Sequence, residues 1–324
     1  MVKREIVKKL RESAKGLLDL ARELQLSERA KSPRTLEIVE RNVRAKDCVA
    51  QKFALPFVVG VDDFGNDVVL ELAHLPHVLI GGATGQGKTE CLNSLIAGLI
   101  ATKTPDEVRF VVFDPKCVEY VGLADLPHLI APPVTSSQEM VAVIRWLESE
   151  VDKRLQMFAS VRCRNISEFN GRTKSDEFPK TFPCLVAVFD EIADLMRQAG
   201  REVEPILCRL TAIARAAGVH LVFATVRPDE KVVPEALKAN VPGRIVFKTA
   251  NSADSMTLID DVGAEDLLGG GDFMLRTGFS EIVRGQGAQV SYDETAALVE
   301  AAIERYGSVK YDENILSGSL CESA

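Results

Sequence analysis

The chain has 324 residues, of which 46% are hydrophobic and 27% are charged. This composition is typical of globular proteins and excludes disorder of the whole chain, and the length suits two domains or one large domain with an appendage. Apolar runs fall short of the ~18 residues of a membrane span, and the first residues lack the apolar core of a secretion signal. The sequence therefore predicts a cytoplasmic protein without an integral membrane segment.

Charge is distributed unevenly along the chain. The formal net charge is -8, but residues 1–50 carry 13 Lys and Arg against 8 Asp and Glu. The overall sign excludes a protein that coats nucleic acid with its entire surface. We therefore predict that residues 1–52 form a basic N-terminal segment, distinct from the rest.

Within this segment, apolar residues recur every three or four positions from Ile6 to Leu24, which predicts a helix. The helix either docks with its basic residues in solvent or uses them to contact DNA phosphates, an anionic membrane or a recruitment partner.

The cysteines argue against two further classes of protein. The seven cysteines are scattered without a C-x-x-C pair, and the four histidines do not cluster with them. A disulfide framework and a zinc site are both disfavoured by this spacing, which suits reduced thiols in a cytoplasm.

From residue 53 to 290, short apolar runs alternate with amphipathic stretches. The predicted strands are Val58–Val61, Val68–Leu72, His77–Ile80, Phe110–Phe113, Leu185–Phe189, Leu221–Ala224 and Ile245–Phe247. The first two flank a hairpin turn, and helices are expected at Val141–Phe158 and Glu202–Ala217. This alternation predicts an α/β fold with a mostly parallel central sheet and helices on both faces. Arg162–Phe182 is polar and predicts an exposed loop.

Residues 291–324 are set apart as a C-terminal region. The stretch Tyr292–Tyr306 has the apolar spacing of a single helix, and Ser317–Ala324 has the composition of a loose tail.

A complete phosphate-binding loop motif follows the strand at His77–Ile80 and precedes a helical pattern. Its members are Gly82, Ala83, Thr84, Gly85, Gln86, Gly87, Lys88 and Thr89. Glycines let consecutive backbone N–H groups point at phosphate oxygens, and the following helix adds its positive end. Lys88 is expected to reach the β- and γ-phosphates of ATP, and the Thr89 hydroxyl to ligate Mg²⁺.

Carboxylates follow two of the other predicted strands. Asp190 and Glu191 end the strand at Leu185–Phe189, at the sheet edge where α/β proteins bind ligands. We expect Asp190 to hold Mg²⁺ and Glu191 to polarise the attacking water. Asp114 follows another strand, where it either supports this site or forms a turn, and the turn is favoured. Thr225 and Arg227 end a further strand and are candidates for sensing phosphate.

Seven ordered blocks resemble the motor domain of the FtsK/SpoIIIE family of double-stranded DNA translocases. The blocks are Pro76–Ile80, Val108–Lys116, Ile144–Asn170, Phe189–Met196, Ala212–His220, Leu237–Ile245 and Gly263–Asp272. The resemblance implies a RecA-like P-loop ATPase that forms a hexameric ring around DNA and binds ATP between subunits. The membrane region and the winged-helix module of the family are not evident.

The resemblance also assigns residues outside the phosphate loop. Arg215 is the first candidate for an arginine that reaches the neighbouring subunit's ATP, and Arg154 is the reserve. Arg227 and Lys238 match basic positions of a DNA-contacting loop. Ser252 and Met256 stand where the family form has Lys and Arg, which predicts weaker and less salt-sensitive DNA binding.

Three functions remain open from the sequence. The first is a sequence-independent motor on double-stranded DNA. The second is a related ring ATPase that moves a protein or conjugative substrate, which the missing charges at Ser252 and Met256 favour. The third is a nucleotide-binding scaffold with poor turnover, because Val226 replaces a family glutamine that could sense the γ-phosphate.

Overall fold

One sheet organises the residues that the computed structural model describes, which are 33–43, 53–172, 181–278, 280–309, 311 and 315–316. Within them the sheet has nine strands in the order β2-β1-β9-β8-β7-β3-β6-β5-β4. The strands are β1 (Pro56–Asp62), β2 (Asp67–Glu71), β3 (His77–Gly81), β4 (Val108–Phe113), β5 (Cys184–Phe189), β6 (Val219–Thr225), β7 (Gly243–Phe247), β8 (Asp272–Thr277) and β9 (Val283–Gly287).

The sheet is parallel in one half and antiparallel in the other. Strands β7, β3, β6, β5 and β4 run parallel, whereas β8, β9, β1 and β2 extend the sheet in alternating directions. All seven predicted strands and the β1–β2 hairpin are confirmed. Strands β8 and β9 were not predicted, because polar residues and glycines interrupt their apolar pattern, as in the segment Val283–Gly287.

Eight α-helical segments connect or cover the described strands. They are α1 (Thr35–Ile38), α2 (Lys88–Thr102), α3 (Ser137–Ser160), α4 (Ile166–Arg172), α5 (Ile192–Ile213), α6 (Glu235–Lys238), α7 (Ser252–Ile259) and α8 (Tyr292–Tyr306). Helices α3 and α8 each start at a capping box, in which a serine side chain and a glutamate three residues later satisfy each other's backbone N–H groups. The helix predicted at Tyr292–Tyr306 is therefore confirmed with its bounds.

Helices cover both faces of the parallel half, as predicted. Along β5, Leu185, Ala187 and Phe189 pack in the core shared with α3 and α5. The alternate residues Val186 and Val188 pack in the core shared with α2 and α8. Successive strand residues point to opposite faces, so a strand buried on both sides is apolar throughout.

Two predicted segments differ in the structure. The expected loop Arg162–Phe182 contains α4, whose Phe169 is buried between Phe158 and Phe182 with ring centroids 4.9 and 5.4 Å away. Three aromatic rings outweigh the polar composition of this segment, and residues 173–180 lie outside the described part. The helix expected at Glu202–Ala217 begins at Ile192 and ends at Ile213. Its first turns were not predicted because Ala199 has non-helical backbone angles and interrupts the apolar periodicity.

Other predictions fall outside the described residues, namely the helix from Ile6 to Leu24 and the tail Ser317–Ala324. Domain limits at residues 52 and 290 therefore remain predictions. Thr35 in α1 donates a hydrogen bond to the Ser94 hydroxyl of α2 at 2.9 Å. The described residues before β1 therefore contact a helix that packs on the sheet. Among the helices of the described ranges, none combines the length and apolarity that crossing a bilayer requires.

Candidate nucleotide-binding site

The phosphate-loop motif connects the buried strand β3 to the first turn of α2. Gly82 has a φ of 141°, and a Cβ there would lie 2.9 Å from the Cβ of Phe247. Only glycine fits this position without displacing β7. The Ala83 N–H donates to the carbonyl of Lys248 at 2.8 Å, which ties the loop to the chain that leaves β7. The sequence motif therefore has the strand–loop–helix context that it needs.

Lys88 is buried at the start of α2, and its ammonium crosses the loop. Its Nζ donates to the carbonyl oxygens of Gly82 at 2.9 Å and Ala83 at 2.8 Å. Burial lowers the pKa of Lys88 to about 8, although the charges of Glu191 and Asp190 act in the opposite direction. A cation held among carbonyls of a phosphate loop is placed to meet phosphate oxygens.

Asp190 follows β5 and brings its carboxylate next to α2. The carboxylate is almost completely buried, and the Thr89 hydroxyl lies 3.4 Å from its Oδ1. A hydroxyl and a carboxylate are hard oxygen ligands that suit Mg²⁺, which usually keeps several waters and phosphate oxygens as further ligands. The donor set therefore fits a magnesium ion bound together with a nucleotide.

Lys116, which the sequence analysis left without a role, contacts the same carboxylate. Its Nζ lies 3.2 Å from Oδ2 of Asp190. Partial burial lowers the pKa of Lys116, but the charge and hydrogen bond of Asp190 outweigh this and raise it. The sequence did contain a signal for this contact. Lys116 comes two residues after Asp114, which directly follows β4, and β4 pairs with β5.

Asp114 shapes the turn that carries Lys116. Its Oδ1 accepts a hydrogen bond from the Lys116 N–H at 3.2 Å, and its Oδ2 accepts from the N–H groups of Val118, Glu119 and Tyr120. These contacts support the favoured interpretation of Asp114 as a turn residue. The turn also positions the Lys116 ammonium beside Asp190.

Glu191 is buried at the N-terminus of α5, and donors surround both of its carboxylate oxygens. Oε1 accepts from the Ala193 N–H at 3.1 Å and from the Thr225 hydroxyl at 2.9 Å. Oε2 accepts from the Val226 N–H at 3.1 Å. The register of the sheet explains this proximity, because Phe189 pairs with Phe223, and Glu191 and Thr225 each follow two residues later.

A glycine-rich loop, residues 269–271, packs against the phosphate loop from the antiparallel half of the sheet. The Gly271 N–H donates to the carbonyl of Gln86 at 3.1 Å, and the Gln286 amide donates to the carbonyl of Gly270 at 2.8 Å. A Cβ at Gly271 would lie 2.7 Å from the Gln286 amide nitrogen. In the sequence this loop belongs to the block Gly263–Asp272, which resembles the family but was not predicted to lie near the nucleotide site.

The two candidate arginines differ in their surroundings. Arg215 is exposed in the turn between α5 and β6, at the opposite end of β6 from the phosphate loop, roughly 20 Å away at ~3.3 Å per residue. Arg154 is buried in α3, where it contacts Glu150 at 2.8 Å and the carbonyls of Pro183 and Ala217. The reserve assignment of Arg154 is therefore wrong, because these contacts hold its guanidinium inside the subunit.

The predicted DNA-contacting residues also differ from one another. The Arg227 side chain is exposed, whereas the Lys238 Nζ lies 3.3 Å from Asp260 and 3.2 Å from Glu235. The side chain of Lys238 is only 12% exposed. Ser252 and Met256 are both exposed on α7, so the two positions that lack the family's charges face solvent. The role of these residues in DNA binding stays a prediction.

Comparisons with known proteins agree with this geometry. The model of the FtsK/SpoIIIE family matches residues 39–230. The chain is 40% identical over 264 residues to the DNA translocase FtsK of Clostridium tetani, which covers 81% of this chain and 36% of that protein. It is 36% identical over 306 residues to the DNA translocase SftA of Bacillus subtilis, covering 89% of this chain and 32% of that protein. The chain thus spans about a third of the length of these relatives.

Solved structures show the same fold. The cytoplasmic domain of the type VII secretion ATPase EccC of Thermomonospora curvata superposes with a TM-score of 0.73 at 22% identity, covering 84% of this chain and 34% of that one. The pCW3 conjugation coupling protein TcpA with ATPγS gives a TM-score of 0.68 at 24% identity, covering 81% and 74%. The chain belongs to the FtsK/SpoIIIE family, and its fold is the P-loop ATPase fold that the sequence predicted.

Proposed function

We propose that this protein is an ATP-dependent motor that translocates double-stranded DNA without reading its sequence. The main supporting observation is the convergence of Lys88, Thr89, Asp190 and Glu191 at one edge of the sheet. Relatives at 40% and 36% identity are named DNA translocases, which supports DNA as the substrate. A cytoplasmic location stays part of this proposal.

Each residue of the site has a distinct task in the proposed reaction. The N–H groups of residues 82–89 and the Lys88 ammonium bind the phosphates and neutralise charge at the β- and γ-positions. Thr89 and Asp190 would hold Mg²⁺, which supplies charge neutralisation to the phosphates when bound. Glu191 orients a water molecule and accepts its proton, for which its three present hydrogen bonds leave one of about four lone-pair positions.

The ring arrangement belongs to the same proposal. Arg215 lies at the amino end of β6, too far from its own phosphate loop to contact a nucleotide bound there. An arginine in this place contributes to catalysis only if it faces the site of a neighbouring subunit, as expected in a hexameric ring with ATP at its interfaces. The exposure of Arg215 is consistent with that role.

DNA contact is assigned to the exposed Arg227, with Lys238 in a supporting position. Phosphate contacts carry no base information, so they suit a motor that moves along any sequence. Binding by Lys238 would have to replace its contact with Asp260. We therefore expect Arg227 to contribute more to DNA affinity than Lys238.

A second candidate function is movement of a protein or conjugative substrate by the same ATPase. The favouring observation is the exposed, uncharged pair Ser252 and Met256 on α7, with Met256 47% exposed. Six copies of such a surface would attract phosphates less and apolar chains more than the basic family form.

Measurement of ATP hydrolysis with and without linear duplex DNA tests the proposal. We expect duplex to stimulate hydrolysis by the unmodified protein, and Lys88→Ala to abolish turnover because the phosphates lose their buried cation. Lys153→Ala, which removes an exposed lysine of α3, is the matched control and should behave as the unmodified protein. Turnover that is indifferent to duplex, but rises with a protein partner, would contradict DNA as the substrate.

A further inference from the structure

The Thr225 hydroxyl occupies a position between the candidate catalytic carboxylate and the exposed loop that follows β6. It lies 2.9 Å from Oε1 of Glu191 and 3.2 Å from the carbonyl oxygen of Arg227. It also accepts a hydrogen bond from the Arg227 N–H at 3.1 Å. Because a hydroxyl carries one proton, it donates to Glu191 or to the Arg227 carbonyl, but not to both at once.

The next residue reinforces the connection. The Val226 N–H donates to the other carboxylate oxygen of Glu191 at 3.1 Å. The two residues that immediately precede Arg227 thus hold both oxygens of the carboxylate. A change in backbone conformation at Arg227 would therefore act directly on the segment that supplies two donors to Glu191.

The loop itself, residues 227–231, is short and anchored at both ends. Thr225 is fully buried on one side and Val232 is buried on the other. Asp229 accepts hydrogen bonds from the N–H groups of Lys231 and Val232, which stiffens the turn. Between these anchors the Arg227 side chain is exposed. A phosphate bound by Arg227 would therefore pull on a stiff loop whose first residue lies two positions after Thr225.

Holding Glu191 in this way opposes its proposed chemistry. Its Oε1 already accepts from two donors, the Ala193 N–H and the Thr225 hydroxyl. With the Val226 N–H on Oε2, three of the four lone-pair positions of the carboxylate are occupied, and these hydrogen bonds fix its orientation. Release of the Thr225 hydroxyl would free a second lone-pair position and let the carboxylate of Glu191 turn toward a water molecule.

We propose that Thr225 is a positioning residue that couples DNA contact at residues 227–231 to the activity of Glu191. With its hydroxyl on Glu191 the carboxylate is restrained, and when Arg227 moves toward a phosphate the hydroxyl turns to the Arg227 carbonyl and releases the carboxylate. This inference rests on the proposed function, and it assigns to Thr225 a contact with Glu191 in place of direct phosphate sensing.

The test compares Thr225→Val, which has a similar shape but no hydroxyl, with Thr225→Ser, which keeps it. ATP turnover is measured with and without linear duplex, and the affinity for a fluorescent ATP analogue is measured in parallel. We expect Thr225→Val to raise DNA-free turnover about fivefold, the factor set by one lost hydrogen bond, and to reduce the stimulation by DNA in proportion. Thr225→Ser should retain the stimulation ratio of the unmodified protein.

Two further measurements keep the result specific. Thr211→Val removes another buried hydroxyl, which bonds only to carbonyls within α5, and should leave both rates unchanged. The affinity of Thr225→Val for the ATP analogue should stay within about twofold, since Glu191 does not hold the phosphates. A Thr225→Val protein with an unaltered stimulation ratio, or with both rates lowered equally, would overturn the coupling.

Failure of the proposed function gives a different result. If duplex does not stimulate the unmodified protein, DNA is not the substrate, whatever Thr225 does. The comparison of DNA-free turnover between Thr225→Val and Thr225→Ser then still decides whether the hydroxyl restrains Glu191. Equal DNA-free rates in the two variants would refute the restraint itself.

Discussion

The two edges of the parallel strands hold their charged groups in different ways. At the carboxyl edge, Lys88 and Asp190 are buried, and their contacts are with loop carbonyls and with the half-exposed Lys116. At the amino edge, Arg154 is buried against the carbonyls of Pro183 and Ala217, which lie just before β5 and β6. Phosphates and Mg²⁺ of a bound nucleotide could replace the contacts of Lys88 and Asp190. The contacts of Arg154 are instead with main-chain carbonyls inside the subunit. Burial of charge alone therefore does not distinguish a reactive edge from a structural one.

The largest expected effect lies at the carboxyl edge. Glu191→Gln keeps the size of the side chain but removes the base, so ATP turnover should fall by about 10²- to 10⁴-fold while nucleotide binding persists. Steady-state hydrolysis and binding of a fluorescent ATP analogue measure the two quantities. Asp194→Asn, the same type of change three residues later on α5, is the control, and an equal loss in both variants would contradict the assignment of Glu191.

The second prediction addresses the amino edge. Arg154→Met removes the partner of the partly buried Glu150 and the donors to two carbonyls, and it also removes the guanidinium that stacks on Phe182. We expect the free energy of unfolding to fall by about 3 kcal/mol, the lower end of the range for breaking a buried ion pair. Urea denaturation measures this. Arg145→Met, which breaks an exposed pair with Glu202, should have little effect, and equal losses would argue against a structural role that is specific to Arg154.

The smallest effect is a pH dependence at the same amino edge. Burial lowers the pKa of His77 to about 3, with a contribution from His220, and burial lowers the pKa of His220 to about 4. The unfolded chain binds protons at these histidines near pH 6.5, but the folded chain does not. Their contribution to the free energy of unfolding is therefore fully present above pH 6.5. It should decline as the pH falls from 6.5 toward 4.

Urea midpoints at pH 7 and pH 5 test this expectation. His220→Asn retains a donor for the Pro76 carbonyl, which His220 contacts at 3.2 Å, but removes one titrating ring. The variant should lose less stability between the two pH values than the unmodified protein. An identical decline in both proteins would mean that other groups cause the pH dependence.

The parallel half of the sheet could be predicted from the sequence more completely than the antiparallel half. Strands β3 to β7 each contain a short apolar run because both of their faces are covered. Strand β9, with the sequence Val283–Gly287, has two glycines and two polar residues, and its pairing with β1 and β8 supplies order that its composition does not indicate. Likewise, the polar segment before Phe182 contains a helix because Phe158 and Phe169 lie close to each other in the fold.

The order of residues along the chain by itself determined the phosphate loop, the acids that end β5 and the strand–helix alternation, since each depends on neighbours in sequence. Tertiary structure alone decided which charged groups meet. Lys116 reaches Asp190 across 74 positions, and Thr225 reaches Glu191 across 34. These distances are set by strand order and register, which bring the carboxyl ends of β4, β5 and β6 together. Local patterns specify which groups are present, but only packing of the sheet specifies which donor faces which carboxylate.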